Sequence, residues 1–148
     1  MIDKNIIKYI NENDVEYAKI LIGEKFKNNL RLYNYYMGLC LCCEKNFLSA
    51  IFHFNKSIEY GLKNALVFYN LGVAYIETES FKEAEKCFID SIELDTSFTK
   101  SYINLAYIYY KNKDYKKAYQ IIKLCLSFND EDYIKKIEKK LLSLIYYF

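Results

Sequence analysis

Cys40, Cys42 and Cys43, with the lone His53 downstream, are the densest group of side chains in this chain that could bind a metal or attack an electrophile. Zinc sites draw on CxxC or HxxxH spacings, which bring ligands to one side of a turn or helix. Neither spacing occurs here. On a helix, residues i and i+2 point to different sides and adjacent residues diverge by about 100°. The three cysteines therefore cannot converge, and no metal site is predicted. Catalysis is equally poorly served, with one His, no glycine-rich phosphate loop and no G-x-S-x-G elbow. A nucleophilic cysteine needs a base beside it. Glu77 and Glu79 read as ordinary turn and surface acids. The expectation is a chain with no catalytic residue, no metal and no cofactor.

The remaining chemistry is that of contact. Seventeen Tyr and ten Phe stand in 148 residues without a single Trp, and 53% of the chain is apolar. That is enough to bury one continuous core. Proline is absent and glycine occurs four times, at Gly23, Gly38, Gly61 and Gly72. Such sparse punctuation argues for helices over a many-turned β protein. Twenty lysines beside one arginine, with abundant Asn and Ile, match an AT-rich coding sequence. The net charge is +2 and the pI about 8.1, lacking the basic excess of a nucleic-acid binder. Lys135, Lys136, Lys139 and Lys140 are interleaved with Glu138 and apolar residues, as on the solvated side of an amphipathic helix. Neither nucleic acid nor membrane is a predicted partner. The odd count of five cysteines inside helical patterns, and an N-terminus without a signal-peptide core, predict a reducing, cytoplasmic setting.

These side chains are placed by a repeat. Shifted by 34 residues, the chain matches itself without a gap over about a hundred positions. Gly38, Gly72 and Ala106 fall in register, as do Ala50, Ala84 and Ala118, then Phe54, Phe88 and Ile122, and Ser57, Ser91 and Cys125. Phe47, Phe81 and Tyr115 also coincide, with Leu41, Tyr75 and Tyr109. Within a unit, Phe68-Leu71-Tyr75 and Phe81-Ala84-Phe88 have helical spacing. Small residues at positions such as Gly72 and Ala84 let two helices approach closely. Asn46, Ser80 and Asp114 stand where a second helix begins and suit an N-cap, and Ser80 with Glu83 spells a capping box. Gly61 suits a left-handed C-cap.

A 34-residue helix–turn–helix with these residues resembles the tetratricopeptide repeat. The best unit is 65–98, where Phe68, Leu71, Gly72, Tyr75, Ala84, Phe88 and Ser91 occupy the family's aromatic, Leu, Gly, Tyr, Ala, Phe and small positions. Units 31–64 and 99–132 match less fully, with Asn34 in an aromatic position and Ala106 and Ile122 in place of Gly and Phe. Asp14, Val15, Ala18 and Ile22 repeat the second-helix pattern, so 1–30 reads as a degenerate first unit whose helix at 2–12 uses Ile2, Ile6, Tyr9 and Ile10. Residues 133–148 read as a covering helix, with Asp130 its predicted N-cap and Ile134, Ile137, Leu141, Leu144 and Ile145 on one side. The expected fold is an all-α, right-handed α-solenoid of antiparallel helix pairs forming one domain, 1–148.

The resemblance implies a concave face lined by first helices. Its inward positions give Tyr35, Tyr36 and Leu39 from one unit, Tyr69, Asn70 and Val73 from the next, and Lys100, Asn104, Tyr107 and Lys111 from the third. Tyrosines offer wide contact area at low entropic cost. Asn70 and Asn104, 34 residues apart, would stack, and an amide both donates to and accepts from a peptide backbone. Bonding to neighbouring helices is the competing role for both. Some family members grip a C-terminal carboxylate with a basic and amide clamp. Here Asn70 and Lys100 fill two of its positions, but Asn104, Tyr35 and Leu39 replace the rest, which argues against that ligand. The implied function is a protein- or peptide-binding scaffold. The alternative is a structural subunit, a homo-oligomer joined through its apolar C-terminal helix.

Overall fold

The computed structural model describes residues 3–146, and the regular structure among them is entirely helical. The helices are α1 (Lys4–Asn11), α2 (Val15–Phe26), α3 (Leu30–Cys43), α4 (Phe47–Glu59), α5 (Ala65–Glu77), α6 (Phe81–Leu94), α7 (Thr99–Lys111), α8 (Tyr115–Leu126) and α9 (Asp132–Tyr146). Ile2, Tyr147 and Phe148 lie outside the described residues, as does Met1. Each helix packs on the next. The first helices of successive pairs, α1, α3, α5 and α7, also approach one another, which makes the array an α-solenoid.

The turns inside the pairs share one geometry. Asn13, Lys45, Glu79 and Lys113 all hold φ between 57° and 62°. The amide of Glu79 donates to the Ile76 carbonyl at 2.9 Å and that of Ser80 to Tyr75 at 2.9 Å. These two bonds satisfy carbonyls that the end of α5 would otherwise strand, in a Schellman arrangement. The other three turns repeat it. Gly61 does the same after α4 at φ 92°, in keeping with its reading as a left-handed cap.

Helix starts are capped mostly by Asn and Asp. Asn46 accepts from the Ser49 amide at 3.3 Å, Asn64 from Val67 at 2.9 Å and Asp114 from Lys117 at 3.1 Å. Ser80 departs from expectation. Its hydroxyl turns back to Thr78, 3.2 Å from Oγ1, and makes no bond to the start of α6, so the capping box is not formed. Asp130 also departs from its predicted role. α9 begins two residues later, with Glu131 supplying the first accepting carbonyl, and Asp130 instead pairs with Lys135 at 2.8 Å.

The seam inside each pair explains the repeated small residues. A Cβ at Gly38 would stand 2.6 Å from the Phe54 ring, and one at Gly72 would stand 2.8 Å from Phe88. Both rings are fully buried. In the third pair Ala106 replaces glycine, and Ile122, shorter and also fully buried, replaces the ring. The two changes offset each other in volume. Ser57 and Ser91 tie α4 and α6 to the starts of α3 and α5, donating to the carbonyls of Arg31 at 2.7 Å and Ala65 at 2.8 Å.

α9 departs from the pairing pattern. It packs on α8, with Ile134 and Leu141 buried against Tyr102, Ala106, Ile122 and Cys125. Unlike the other odd-numbered helices, it makes no close backbone approach to its predecessor, α7. Its apolar side lies over the pair formed by α7 and α8.

Candidate functional site

The face of the first helices divides into a closed and an open part. On α3, Tyr36 is fully buried: its ring stacks on Phe26 at 5.2 Å, and its hydroxyl accepts from the Asp3 amide. Tyr35 is buried as well, edge-on to Tyr36 and tilted against Phe54. Neither offers surface to a ligand. Tyr36 is closed off by Phe26 of α2 and the segment leading into α1, and Tyr35 by Phe54 of α4 and Asn70 of α5. Burial also pushes the Tyr35 phenol well above its ordinary value, keeping it a neutral hydrogen-bonding group. Leu39, one turn on, is half-buried.

The open part lies on α5 and α7. Tyr69, Asn70 and Val73 are half-buried, Asn104 likewise, and Lys100, Tyr107 and Lys111 are exposed. The Tyr69 ring rests against Phe98 at 5.3 Å and Phe88 at 6.1 Å, so one face is fixed by the fold. Asn70 donates from Nδ2 to the Tyr35 hydroxyl at 3.2 Å. Its amide is thereby partly engaged by the neighbouring first helix. On α7, residues 100, 103, 104, 107 and 111 fall on one side by helical spacing, putting Asn104 and Tyr107 between two lysines.

The sequence offered no way to see the end wall of this face. Ile137, Lys140 and Leu141 of α9 stand opposite Ile103, Ala106, Tyr107 and Tyr110 of α7, enclosing a cleft of about 240 Å³. Apart from the Lys140 ammonium, the two phenols and backbone, its walls are hydrocarbon. The Tyr110 ring leans on Tyr115 at 5.7 Å. The cleft exists because α9 seats on α8 while standing off α7, so side chains meet across the gap where backbones do not. Helical periodicity identified the apolar side of α9, but its seat depends on distant residues of α7 and α8.

The cysteines and histidine lie elsewhere. Cys40 is fully buried, and burial raises the thiols of Cys40 and Cys42 to about 11 and that of Cys87 to about 12. Such thiols stay protonated near neutrality and are poor nucleophiles or ligands. His53 Nδ1 lies 2.9 Å from Asn34 Oδ1, and Asn34 Nδ2 donates to the Leu30 carbonyl at 2.7 Å. Burial lowers the His53 pKa and holds the ring neutral. This polar pair occupies the space where the best unit carries an aromatic.

Comparison with known proteins was made against this geometry. The family model described as tetratricopeptide repeat matches residues 65–98 and 99–132. The Hsp70-Hsp90 organizing protein of Triticum aestivum is 30% identical, over 72% of this chain and 20% of that protein. Superkiller protein 3 of Saccharomyces cerevisiae is 31% identical, over 57% of this chain and 6% of its own length. The chain thus spans a fifth or less of each of these two relatives. Among solved structures, the crystal structure of MamA superposes with a TM-score of 0.75 at 17% identity, covering 97% of this chain and 96% of that one. The first such domain of Spaghetti (RPAP3), bound to the HSP90 peptide SRMEEVD, gives 0.69 at 17% identity, covering 78% and 94%. At these identities the structural likeness concerns fold alone.

Proposed function

The chain belongs to the tetratricopeptide repeat family, matched over residues 65–132, and from that premise we propose that it is a non-enzymatic scaffold. It binds a peptide segment of a protein partner along the first-helix face of α5 and α7. The observation that carries this reading is the open half of that face. Tyr69, Asn70, Val73, Asn104 and Tyr107 present aromatic, aliphatic and amide groups in register, with solvent access. Amides at a fixed spacing can bond a peptide backbone while the tyrosines supply contact area. Peptide-bound domains of the same fold, such as that of Spaghetti, support it in kind. A terminal carboxylate is not the favoured ligand. Tyr35 and Leu39 supply no charge where a clamp needs its first cation and amide, and Asn70 already donates to Tyr35.

Affinity purification with the wild-type chain and with Asn70→Ala/Asn104→Ala tests the proposal. Loss of the captured partner supports it. Unchanged recovery alongside an unchanged melting temperature refutes the groove.

A second reading, self-assembly through α9, has its own observation. Tyr146 is 78% exposed, and Leu142, Leu144 and Ile145 are only half-buried. Light scattering across a concentration series decides it: a strict monomer at all concentrations removes this reading.

A further inference from the structure

We propose that the cleft between α7 and α9 is an anchor pocket for one bulky aliphatic or aromatic side chain of the partner, flanked in its sequence by Asp or Glu. The inference rests on reading the α5/α7 face as a peptide-binding surface, and it specifies the partner's chemistry at one end of it.

Three observations carry it. The first is size. At about 240 Å³ the cleft falls below the roughly 300–1,000 Å³ of pockets that enclose a whole small ligand. It has room for part of a molecule, such as one side chain, while the rest lies along the open face. The second is lining. Ile103, Ala106, Ile137 and Leu141 contribute hydrocarbon, and Tyr107 and Tyr110, at 43% and 38% exposure, add partly exposed rings to the rim. An apolar side chain entering here removes its own surface and theirs from water.

The third observation is charge. α7 carries Lys100 and Lys111 and no acid, while α9 carries four lysines against Asp132 and Glu138. Six lysines against two acids put +4 on these two helices in a chain whose total is +2. Everything outside them is therefore net negative. Lys100, Lys111 and Lys140 form no ion pair among the described residues. Lys140 itself lines the cleft. Cations left free around an apolar pocket favour an acidic segment and disfavour a basic one. Because these charges are exposed, their contribution is screened within about 8–10 Å at physiological salt. No chain end is needed, so the segment is internal or terminal alike.

The test is a random linear peptide library panned on the full chain, with the enriched peptide synthesised as free acid and as amide and titrated by fluorescence anisotropy. Three results support the pocket: enriched sequences carry an apolar residue flanked by Asp or Glu, amidation changes affinity less than about twofold, and salt weakens binding. Tyr107→Ala then weakens binding about tenfold and Lys140→Glu several-fold. Thermal melts of both variants must match wild type, and Lys140→Arg, which keeps the positive charge, must bind as wild type does. Peptides of another composition that ignore both variants, yet are lost with Asn70→Ala/Asn104→Ala, overturn the anchor pocket and leave the broader groove standing. Dependence on a free carboxylate overturns the pocket too. So does sodium laurate binding that Tyr107→Ala abolishes when no peptide is enriched. Enrichment of nothing, with no laurate binding, overturns pocket and groove together.

Discussion

Glu79 occupies left-handed backbone at φ 57° although it carries a Cβ. That conformation costs an L-residue roughly 1–2 kcal/mol, which glycine avoids while adding freedom to the unfolded chain. Glu79→Gly should therefore stabilise by about 0.5 kcal/mol net, and Glu79→Val, β-branched, should destabilise by about 1 kcal/mol or more. Urea melts at constant slope measure both. Asp3 is a second position with a defined consequence. Its carboxylate pairs with Lys25, the largest cause of a pKa held below the ordinary 3.8, and also accepts from the Asn5 and Ile6 amides. A depressed folded pKa gives stability that is present above the ordinary carboxyl value and lost as pH falls through the folded one. The gap in melting temperature between wild type and Asp3→Asn should hold near pH 7 and shrink below about pH 4. A constant gap down to pH 3 would show that the charge is irrelevant there.

At the scale of the helix pair, packing decides what the repeat permits. Gly72→Ala improves helix propensity by about 1 kcal/mol. It also drives a methyl to 2.8 Å from the fully buried Phe88 ring, and overpacking of this kind costs about 1–3 kcal/mol. The clash should win, leaving a net loss of about 1 kcal/mol. Pairing it with Phe88→Ile reproduces the third unit's Ala106–Ile122 combination. The double variant should thus be more stable than the sum of the singles predicts, by about 0.5–3 kcal/mol of coupling. A double-mutant cycle on thermal unfolding reads that energy; additivity would mean the two sites do not share a seam. This part of the fold was legible because seam positions recur every 34 residues. The left-handed turns were not, since Lys45, Glu79 and Lys113 carry none of glycine's signal. The Ser80 capping box failed for a local reason: its hydroxyl found Thr78 closer at hand.

For the molecule as a whole, α9 is the element that shields the apolar side of α8. It buries Ile134 and Leu141 fully or nearly so, and complete burial of such a side chain is worth about 1.5–3 kcal/mol. Removing residues 132–148 should thus destabilise by about 3–6 kcal/mol, seen as a lower melting temperature and new dye binding at α8. An unchanged melt would mean that α8 closes the core by itself. The same element decides how much of the first-helix face is accessible. Phe26 of α2 and the segment leading into α1 bury Tyr36 at one end, and α9 leaves a cleft at the other, beside Tyr107.

Periodicity and residue type alone determined the helices, their pairing and the seam residues, because those depend on neighbours at set distances along the chain. The resemblance to the tetratricopeptide repeat, and not the period itself, implied that Asn70, Asn104 and Tyr107 face inward. Tertiary structure decided which of those side chains remain available. Tyr35 and Tyr36 stand one repeat before Tyr69 and Asn70, yet they are core: Phe26 of α2 stacks on Tyr36, and Phe54 and Asn70 close on Tyr35. Asn70 is half-committed because Tyr35 lies 3.2 Å away. Lys140, an unremarkable member of a lysine run in sequence, becomes part of a cleft because α9 packs on α8 without a close backbone approach to α7. Exposure is a property of what packs on a residue from afar, and a repeat period carries no information about that.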